Sequence, residues 1–108
     1  MSRLMHSLFG KVVSTMRGNI SFYKGEQKKI EAVVTPRNPD ELVVINKAHY
    51  RLLRLNTGET VEDGELDIDK DTVSTILGID EAGLFELKIT VTVGKETFIE
   101  KALVRTES

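Results

Sequence analysis

From residue 20 onward, apolar and polar residues alternate in short runs separated by turn residues. The clearest run is DEAGLFELKITVTVG, residues 80–94, where every second residue from Phe85 to Val93 is apolar. Two-residue alternation is typical of a β-strand with one buried face. Similar runs predict strands near residues 20–23, 30–34, 48–52, 61–66, 72–77 and 98–104. Because turn residues separate these runs and no long helical pattern intervenes, we expect an all-β, antiparallel sandwich of about seven strands.

The first eighteen residues follow a different pattern. Their apolar residues recur at three- and four-residue spacing, at Leu4, Met5, Leu8, Val12 and Met16. That spacing is typical of an amphipathic helix, but Gly10 and the β-branched residues at 12, 13 and 15 lower helix propensity. We therefore expect a short N-terminal segment at 1–18, helical or extended, ahead of a sandwich domain at 19–108.

Length and composition limit the number of domains, the cross-links and the membrane segments that can be expected. The chain has 108 residues, no cysteine and a formal net charge of −2. One domain is expected at this length, and disulfides and thiolate metal sites are excluded. No apolar run is long enough to span a membrane. The interrupted N-terminus, MSRLMHSLFGKVV, lacks the apolar core of a signal peptide.

Charge is divided unevenly along the chain. Residues 1–54 hold ten Lys or Arg against four Asp or Glu, and residues 55–108 hold five against thirteen. Such polarity favours docking between copies or neighbours. The alternative is that the sandwich interleaves the two halves, so that opposite charges mix in space.

The start of the 80–94 run carries a family resemblance. Glu81, Gly83, Phe85 and Leu87 occupy alternate positions, as at the start of the F strand of an immunoglobulin-like domain. Phe85 stands where that family has the tyrosine of its corner motif, so the hydroxyl bond is lost and the aromatic packing remains. Leu87 stands at the cysteine position, and the chain has no tryptophan. The resemblance implies an immunoglobulin-like β-sandwich that is not of the antibody type.

Three segments together resemble the immunoglobulin-like domains of phage tail and baseplate proteins. They are the strand–Lys-Gly-Glu–strand unit at 22–34, the run at 80–93, and the final hairpin around Gly94. The resemblance covers about residues 19–105. It implies a module that attaches a virion subunit to its neighbours or to copies of itself, in a virion or in the bacterial cytoplasm during assembly.

The acidic run EDGELDIDKD, residues 62–71, is the strongest candidate for a metal site. Asp67, Asp69 and Asp71 match the first three ligand spacings of an EF-hand loop. Thr72 replaces the required glycine, and Gly78 replaces the final glutamate. We therefore favour a solvated strand or turn over a calcium site, and we expect no other cofactor.

Catalytic patterns are missing from the sequence. The two histidines, His6 and His49, have no serine nearby in a nucleophile motif, since Ser14, Ser21 and Ser74 lie in no such context. We expect no enzyme.

Two small basic clusters are candidates for nucleic-acid binding. They are Lys24, Lys28 and Lys29, beside Phe22 and Tyr23, and the pair Arg51 and Arg54. An isoelectric point of about 5.7 disfavours that function.

The sequence thus favours a non-catalytic structural or adaptor domain that binds proteins, with no nucleic-acid or membrane partner. The residues expected at its interfaces are Leu4, Leu8, Val12, Lys28 and Arg51. The alternative is a ligand- or carbohydrate-binding sandwich module, which needs exposed aromatic side chains.

Overall fold

Two five-stranded β-sheets face each other in the computed structural model, which describes residues 3–6, 12–16, 19–36, 40 and 42–108. The strands within these residues are β1 (Arg3–His6), β2 (Val12–Met16), β3 (Asn19–Tyr23), β4 (Gln27–Pro36), β5 (Ile45–Arg54), β6 (Thr60–Glu65), β7 (Asp67–Asp69), β8 (Thr72–Gly78), β9 (Gly83–Val93) and β10 (Glu96–Glu107). Sheet 1 has the order β1-β2-β4-β8-β7, and sheet 2 has the order β3-β10-β9-β5-β6. The prediction of an all-β sandwich is confirmed.

Sheet 2 is organised around the hairpin of β9 and β10. The two strands pair from Glu96↔Val93 to Thr106↔Gly83. Gly94 makes the turn with a positive φ of 62°, a conformation that glycine adopts without steric cost. Strand β5 pairs with the other edge of β9, so β9 lies at the centre of the sheet. The predicted glycine hairpin is therefore present.

One strand pair departs from the antiparallel expectation. Strand β3 runs parallel to β10, with Ile20 beside Val104 and Phe22 beside Thr106. Every other pairing in the described residues is antiparallel. Sheet 2 is therefore mixed, and β3 forms one of its edges.

For the residues described in the N-terminal segment, the extended alternative is confirmed. Strands β1 and β2 pair with each other, and β2 pairs with β4 through Val12↔Pro36 to Thr15↔Val33. The β-branched residues of β2 favour extended backbone, and the ladder with β4 supplies hydrogen bonds that outweigh the helical spacing. The domain boundary after residue 18 stays a prediction.

The core lies between the sheets and follows the alternation in the sequence. Its most deeply buried side chains include Val34, Val73, Leu77, Phe85 and Leu87, each no more than 1 % exposed. Full burial of one such side chain contributes roughly 1.5–3 kcal/mol. Two polar residues, Glu100 and Thr106, also lie on the buried face of β10. No helix in the described part of the chain is apolar and long enough to cross a membrane.

The acidic run spans the crossing between the sheets. Strand β6 belongs to sheet 2 and β7 to sheet 1. Leu66 lies between them, 5 % exposed, with its N–H bonded to the Ala48 carbonyl at 2.9 Å. A buried leucine thus anchors the crossing, and both acidic strands lie at sheet edges.

Candidate functional site

The solvent-facing side of sheet 2 carries a row of three cations. Alternation along β5, β9 and β10 turns one set of residues inward and leaves the other set on the solvent face. On that solvent face Lys88 is the register partner of Lys101 on one side and of Arg51 on the other. We call Arg51, Lys88 and Lys101 the basic row. Neighbouring strands lie about 4.8 Å apart, so the row spans roughly 10 Å.

No ion pair among the described residues neutralises the basic row. Within the described residues, the ion pairs within 4.0 Å involve Lys28 and Arg54, and none involves the three members of the row. Asp63 is the register partner of Arg51 on the edge strand β6, and it forms no such pair either. Like charges directly opposite one another destabilise a sheet. The basic row therefore lowers the stability of the folded domain when no partner is bound.

The surroundings of the row combine apolar and polar contact area. Ile99 and Leu103, on the same face of β10 as Lys101, are 39 % and 37 % exposed. Beside the row, where His49 and Thr90 lie next to Arg51 and Lys88 along their strands, is a depression of about 320 Å³ whose lining includes His49, Glu65 and Thr90. A mixed surface of this kind, charged with apolar patches, is typical of protein–protein contacts.

Among the described residues, the His49 depression brings a carboxylate but no serine beside the histidine. Glu65 is the register partner of His49, and no serine lines the depression among the described residues. Ser74 lies on β8 in the other sheet. Ser21 lies on β3, at the far edge of sheet 2 from β6.

No group of three or more histidine or acidic side chains in the described residues is placed to hold a metal. Asp67 and Asp69 lie on β7, opposite Ser74 and Thr72. Asp71 follows in the turn, where its carbonyl accepts the Val34 N–H at 2.8 Å. The end of the acidic run, residues 67–71, is therefore a short edge strand and the turn that follows it.

A second feature lies at the end of sheet 2 where β5 finishes. Arg54 donates from Nη2 to Glu81 Oε1 at 2.5 Å and from Nε to Glu81 Oε2 at 3.2 Å, and it also pairs with Glu59. The bond to Glu81 is the main cause that raises the pKa of Arg54. Beside this cluster is a depression of about 380 Å³ whose lining includes Leu55 and Leu84. Arg54, which the sequence grouped with Arg51, is thus engaged by carboxylates.

Tyr50 forms a buried polar contact beneath the edge strand β6. Its hydroxyl donates to Glu62 Oε2 at 2.6 Å, and the residue is 7 % exposed. Burial, followed by the bond to Glu62, raises the pKa of Tyr50 to about 12. Gly64 faces the ring so closely that an added Cβ would lie 3.1 Å from Tyr50 Cε1. The missing side chain at residue 64 leaves room for the ring.

Of the expected interface residues that the structure describes, Leu4, Val12 and Lys28 lie in sheet 1 and Arg51 lies in sheet 2. Leu4 lies on β1 opposite Thr15, Val12 lies on β2 opposite Pro36, and Leu8 lies outside the described residues. Lys28 lies on β4, and its ammonium group sits 5.4 Å from the centre of the Phe22 ring.

Lys28 is also engaged within the chain. Its Nζ donates to the Ser21 carbonyl at 2.5 Å and lies 3.7 Å from Glu26 Oε1. Arg51 belongs to the basic row, whereas Lys88 and Lys101 were not among the residues predicted at an interface. Their pairing could have been found, because both residues are equally distant from the Gly94–Lys95 turn.

Aromatic side chains are mostly used in the core. Phe22, Tyr50, Phe85 and Phe98 are all buried. Tyr23, 67 % exposed, is the one exposed aromatic residue in the part of the chain that the structure describes.

Comparison with known proteins identifies the fold of the chain but no family. No family model matches the chain, and no curated protein matches it. An engineered protein of known crystal structure matches with a TM-score of 0.64 and 9 % identity over 100 % of this chain, which spans only 20 % of that protein. CopC from Methylosinus trichosporium OB3b matches with a TM-score of 0.62 and 12 % identity, over 99 % of this chain and 94 % of CopC. At such low identities the likeness establishes the fold alone, an immunoglobulin-like β-sandwich of the type found in CopC.

Proposed function

We propose that this chain is a non-catalytic structural or adaptor domain whose basic row docks on an acidic surface of another protein subunit. The observation that carries the proposal is the register of Arg51, Lys88 and Lys101 on three adjacent strands without an ion pair in the described residues. An acidic partner offsets the repulsion that the row creates within the sheet. The exposed Ile99 and Leu103 add apolar contact area beside the charges.

A discrete acidic protein surface fits the row better than a nucleic acid does. The row is short, and Asp63 and Glu65 of β6 lie at its edge. A phosphate backbone continuing along the row would meet these carboxylates and would be repelled. The formal net charge of −2 also disfavours a nucleic acid as the partner.

Binding of labelled polyglutamate tests the docking proposal. Fluorescence anisotropy measures this binding at low and at physiological salt. We expect Lys88→Thr and Lys101→Thr to weaken binding several-fold, with the difference shrinking as salt rises. Lys29→Thr is the matched control, because Lys29 is an exposed lysine of sheet 1 whose register partner is Ile76. Equal losses in the control would show an effect of net charge alone and would contradict the proposal. Tighter binding to single-stranded DNA than to polyglutamate would favour nucleic acid instead.

The biological setting that we propose is a phage or prophage tail or baseplate particle, with virion subunits or copies of this chain as partners. Its support is the resemblance of segments 22–34 and 80–93 and of the Gly94 hairpin to domains of such particles. The chain would then be located in the virion, or in the bacterial cytoplasm during assembly. Mass spectrometry of purified particles, together with the identity of neighbouring genes, tests this setting. Absence of the chain from particles and of tail or capsid genes nearby would contradict it.

The alternative of a ligand- or carbohydrate-binding module has less support. Sugar recognition uses exposed aromatic rings, and among the described residues Tyr23 is the one that supplies such a ring. A thermal-shift screen with sugars and with calcium tests this alternative, and a ligand-dependent rise in Tm would favour it.

A further inference from the structure

The solvent-facing side of sheet 1 carries a row of residues that matches the basic row in spacing and opposes it in charge. Asp67 on β7 is the register partner of Ser74 on β8, and Ser74 is the register partner of Glu31 on β4. We call Glu31, Ser74 and Asp67 the acidic row. It crosses three adjacent strands, as the basic row does, so it also spans roughly 10 Å. Its two carboxylates are therefore about as far apart as Arg51 and Lys101.

The acidic row faces away from the core. On β8, Val73 is fully buried, and Ser74 follows it on the opposite face of the sheet. Glu31 and Asp67 are exposed, as is the neighbouring Asp69. Within the described residues, no ion pair within 4.0 Å involves any of these three carboxylates. They can therefore accept a cation from a partner.

The two outer faces keep opposite signs when all the charged residues of the facing strands are counted. On the outer face of β4, β8 and β7, one lysine stands against three carboxylates: Lys29 against Glu31, Asp67 and Asp69. On the outer face of β5, β9 and β10, five cations stand against two carboxylates: Lys47, Arg51, Lys88, Lys101 and Arg105 against Glu86 and Glu107. The turn after β7 adds Lys70 and Asp71, whose charges cancel.

The strands of the two sheets are arranged in the same sense. Strand β10 lies against β1 and β2, and β5 lies against β7, so both strand orders start from the same side of the molecule. One residue, Leu66, separates β6 from β7, so β7 continues in the direction of β6 and hence of β9. Strand β4 also runs this way, because β8 is antiparallel to both β4 and β7. A second copy moved perpendicular to the sheets, without rotation, therefore brings β4, β8 and β7 over β10, β9 and β5.

We infer that the acidic surface that the basic row contacts is the outer face of sheet 1 of a second copy of this chain. Glu31 of the second copy then lies over Lys101, at one end of the basic row. Asp67 lies over Arg51, at the other end. Lys88, between them, is flanked by both carboxylates. The contact offsets the repulsion within the basic row.

On one side of the rows, the next residues along the strands are also compatible. Val33 and Asp69 follow the acidic row in the direction of β9, and they come over Ile99 and His49. Val33 is 40 % exposed, so an apolar contact forms beside the charges. Asp69 meets an imidazole rather than a carboxylate.

On the other side, the register partners Lys29 and Ile76 come over the register partners Leu103 and Glu86. Each pair combines one apolar and one charged residue, and the two charges are opposite. The diagonal contacts are therefore Ile76 with Leu103 and Lys29 with Glu86. The one cation among the outer residues of β4, β8 and β7 thus also lies near a carboxylate of the second copy.

The contact joins opposite faces of identical chains, so it is heterologous and repeats from copy to copy. The expected product is a linear stack in which sheet 2 of each copy lies on sheet 1 of the next. This inference rests on the docking proposal, because it names the partner of the basic row.

Exchange of charge between the rows tests the inference. The basic-row variant is Arg51→Glu with Lys101→Glu, and the acidic-row variant is Glu31→Lys with Asp67→Lys. The exchange variant carries all four substitutions and keeps the formal net charge of −2. The control, Lys24→Glu with Lys95→Glu, changes the net charge as the basic-row variant does, but its exposed lysines lie in turns.

Light scattering over a range of concentrations at low salt gives the size of the assembly. We expect the wild type, the exchange variant and the control to grow beyond two chains, and the wild-type assembly to shrink as salt rises. The basic-row and acidic-row variants should each remain a single chain, because their facing rows carry like charges. A mixture of these two variants presents opposite rows again and should assemble.

Circular dichroism and thermal unfolding establish that each variant folds. If a charge-reversal variant does not fold, Arg51→Gln with Lys101→Gln, or Glu31→Gln with Asp67→Asn, replaces it. The neutral variants should also remain single chains.

Several results would overturn the inference. A wild type that stays a single chain at every concentration would do so, and so would a folded exchange variant that does not assemble. Loss of assembly in the control would show an effect of net charge alone. A single-chain wild type whose basic row still binds polyglutamate would contradict the stack and leave the docking proposal standing, with a different protein as the partner.

Discussion

At the scale of single residues, the contact between Tyr50 and Glu62 links stability to pH. The hydroxyl reaches Glu62 at 2.6 Å, and the folded pKa is raised to about 12. The unfolded chain releases this proton near pH 10. Between these values the folded state holds the proton and the unfolded state does not, so stability is complete below about pH 10 and falls as pH rises toward 12.

Replacing Tyr50 with phenylalanine should remove both the hydrogen bond and this pH dependence. At neutral pH we expect a loss of about 1 kcal/mol in the free energy of unfolding. Between about pH 8 and about pH 11 the wild type should lose roughly 1 kcal/mol more than Tyr50→Phe does. Urea unfolding of both proteins at both pH values gives the double difference, in which the shared titration of lysines cancels.

Tyr23→Phe provides the control for that experiment. The chain has two tyrosines, so this variant leaves Tyr50 as the single phenol. Its tyrosinate absorbance should appear in the folded protein with a midpoint near pH 12. Tyrosinate that forms in the folded variant near pH 10 would contradict the buried contact.

At the scale of elements, the register of three strands places like charges side by side. Lys88 lies between Arg51 and Lys101 and therefore faces two cations. Lys88→Thr should raise the free energy of unfolding by about 0.5 kcal/mol, because it removes both repulsions. Urea unfolding at low and at high salt measures this gain, which should fade as salt screens the row.

Lys29→Thr separates charge from strand propensity. Threonine favours β-structure at both positions, but Lys29 pairs with Ile76 and lacks a cationic register partner. A gain of the same size in Lys29→Thr, or a gain in Lys88→Thr that does not depend on salt, would contradict the repulsion.

The sequence predicts the features that local patterns set, and it does not predict those that depend on the order of strands in the sheet. The alternation from Phe85 to Val93 and the turn at Gly94 are local signals, and both the hairpin and its buried face follow from them. Lys88↔Lys101 also follows from the turn. The adjacency of Arg51 to Lys88 depends on the pairing of β5 with β9, which no local pattern contains.

The alternatives that the sequence left open have related causes. The spacing of Leu4, Leu8 and Val12 suits a helix, but β2 joins the ladder of β4. Strand β7 has three residues, too few for alternation to distinguish it from a turn. Tertiary pairing decided between the alternatives in both cases. The contacts of Lys28 with the Ser21 carbonyl and the Phe22 ring also depend on tertiary structure.

At the scale of the whole molecule, the charge division between the chain halves disappears. Sheet 2 joins β3 and β5 from the first half with β6, β9 and β10 from the second. The basic row itself takes Arg51 from the basic half and two lysines from the acidic half. The interleaved alternative therefore describes sheet 2.

Strands β1 and β2 cover an edge of sheet 1, and their removal should expose it. A chain that starts at Asn19 loses the pairs from Val12↔Pro36 to Thr15↔Val33 and leaves β4 as an open edge. We expect a loss on the order of 2 kcal/mol and a fall in Tm of roughly 10 °C, measured by thermal unfolding. The open edge should also promote association, which light scattering detects.

A second variant isolates the edge effect. Val33→Lys with Thr35→Lys then places charges on the open β4 edge and should suppress the association. A truncated protein with the original Tm and no association would show that β1 and β2 contribute little.

The parallel pair of β3 and β10 sets the order in which the domain can be completed during synthesis. Phe22 on β3 is the register partner of Thr106 on β10. The two residues are far apart in the sequence, so the ribosome adds Thr106 long after Phe22. Until then β3 lacks its neighbour, and Ile20 and Phe22 have no strand to cover them. Contacts this distant in sequence form slowly and leave apolar surface open in the meantime. Sheet 2 can therefore close only after β10 has left the exit tunnel of the ribosome.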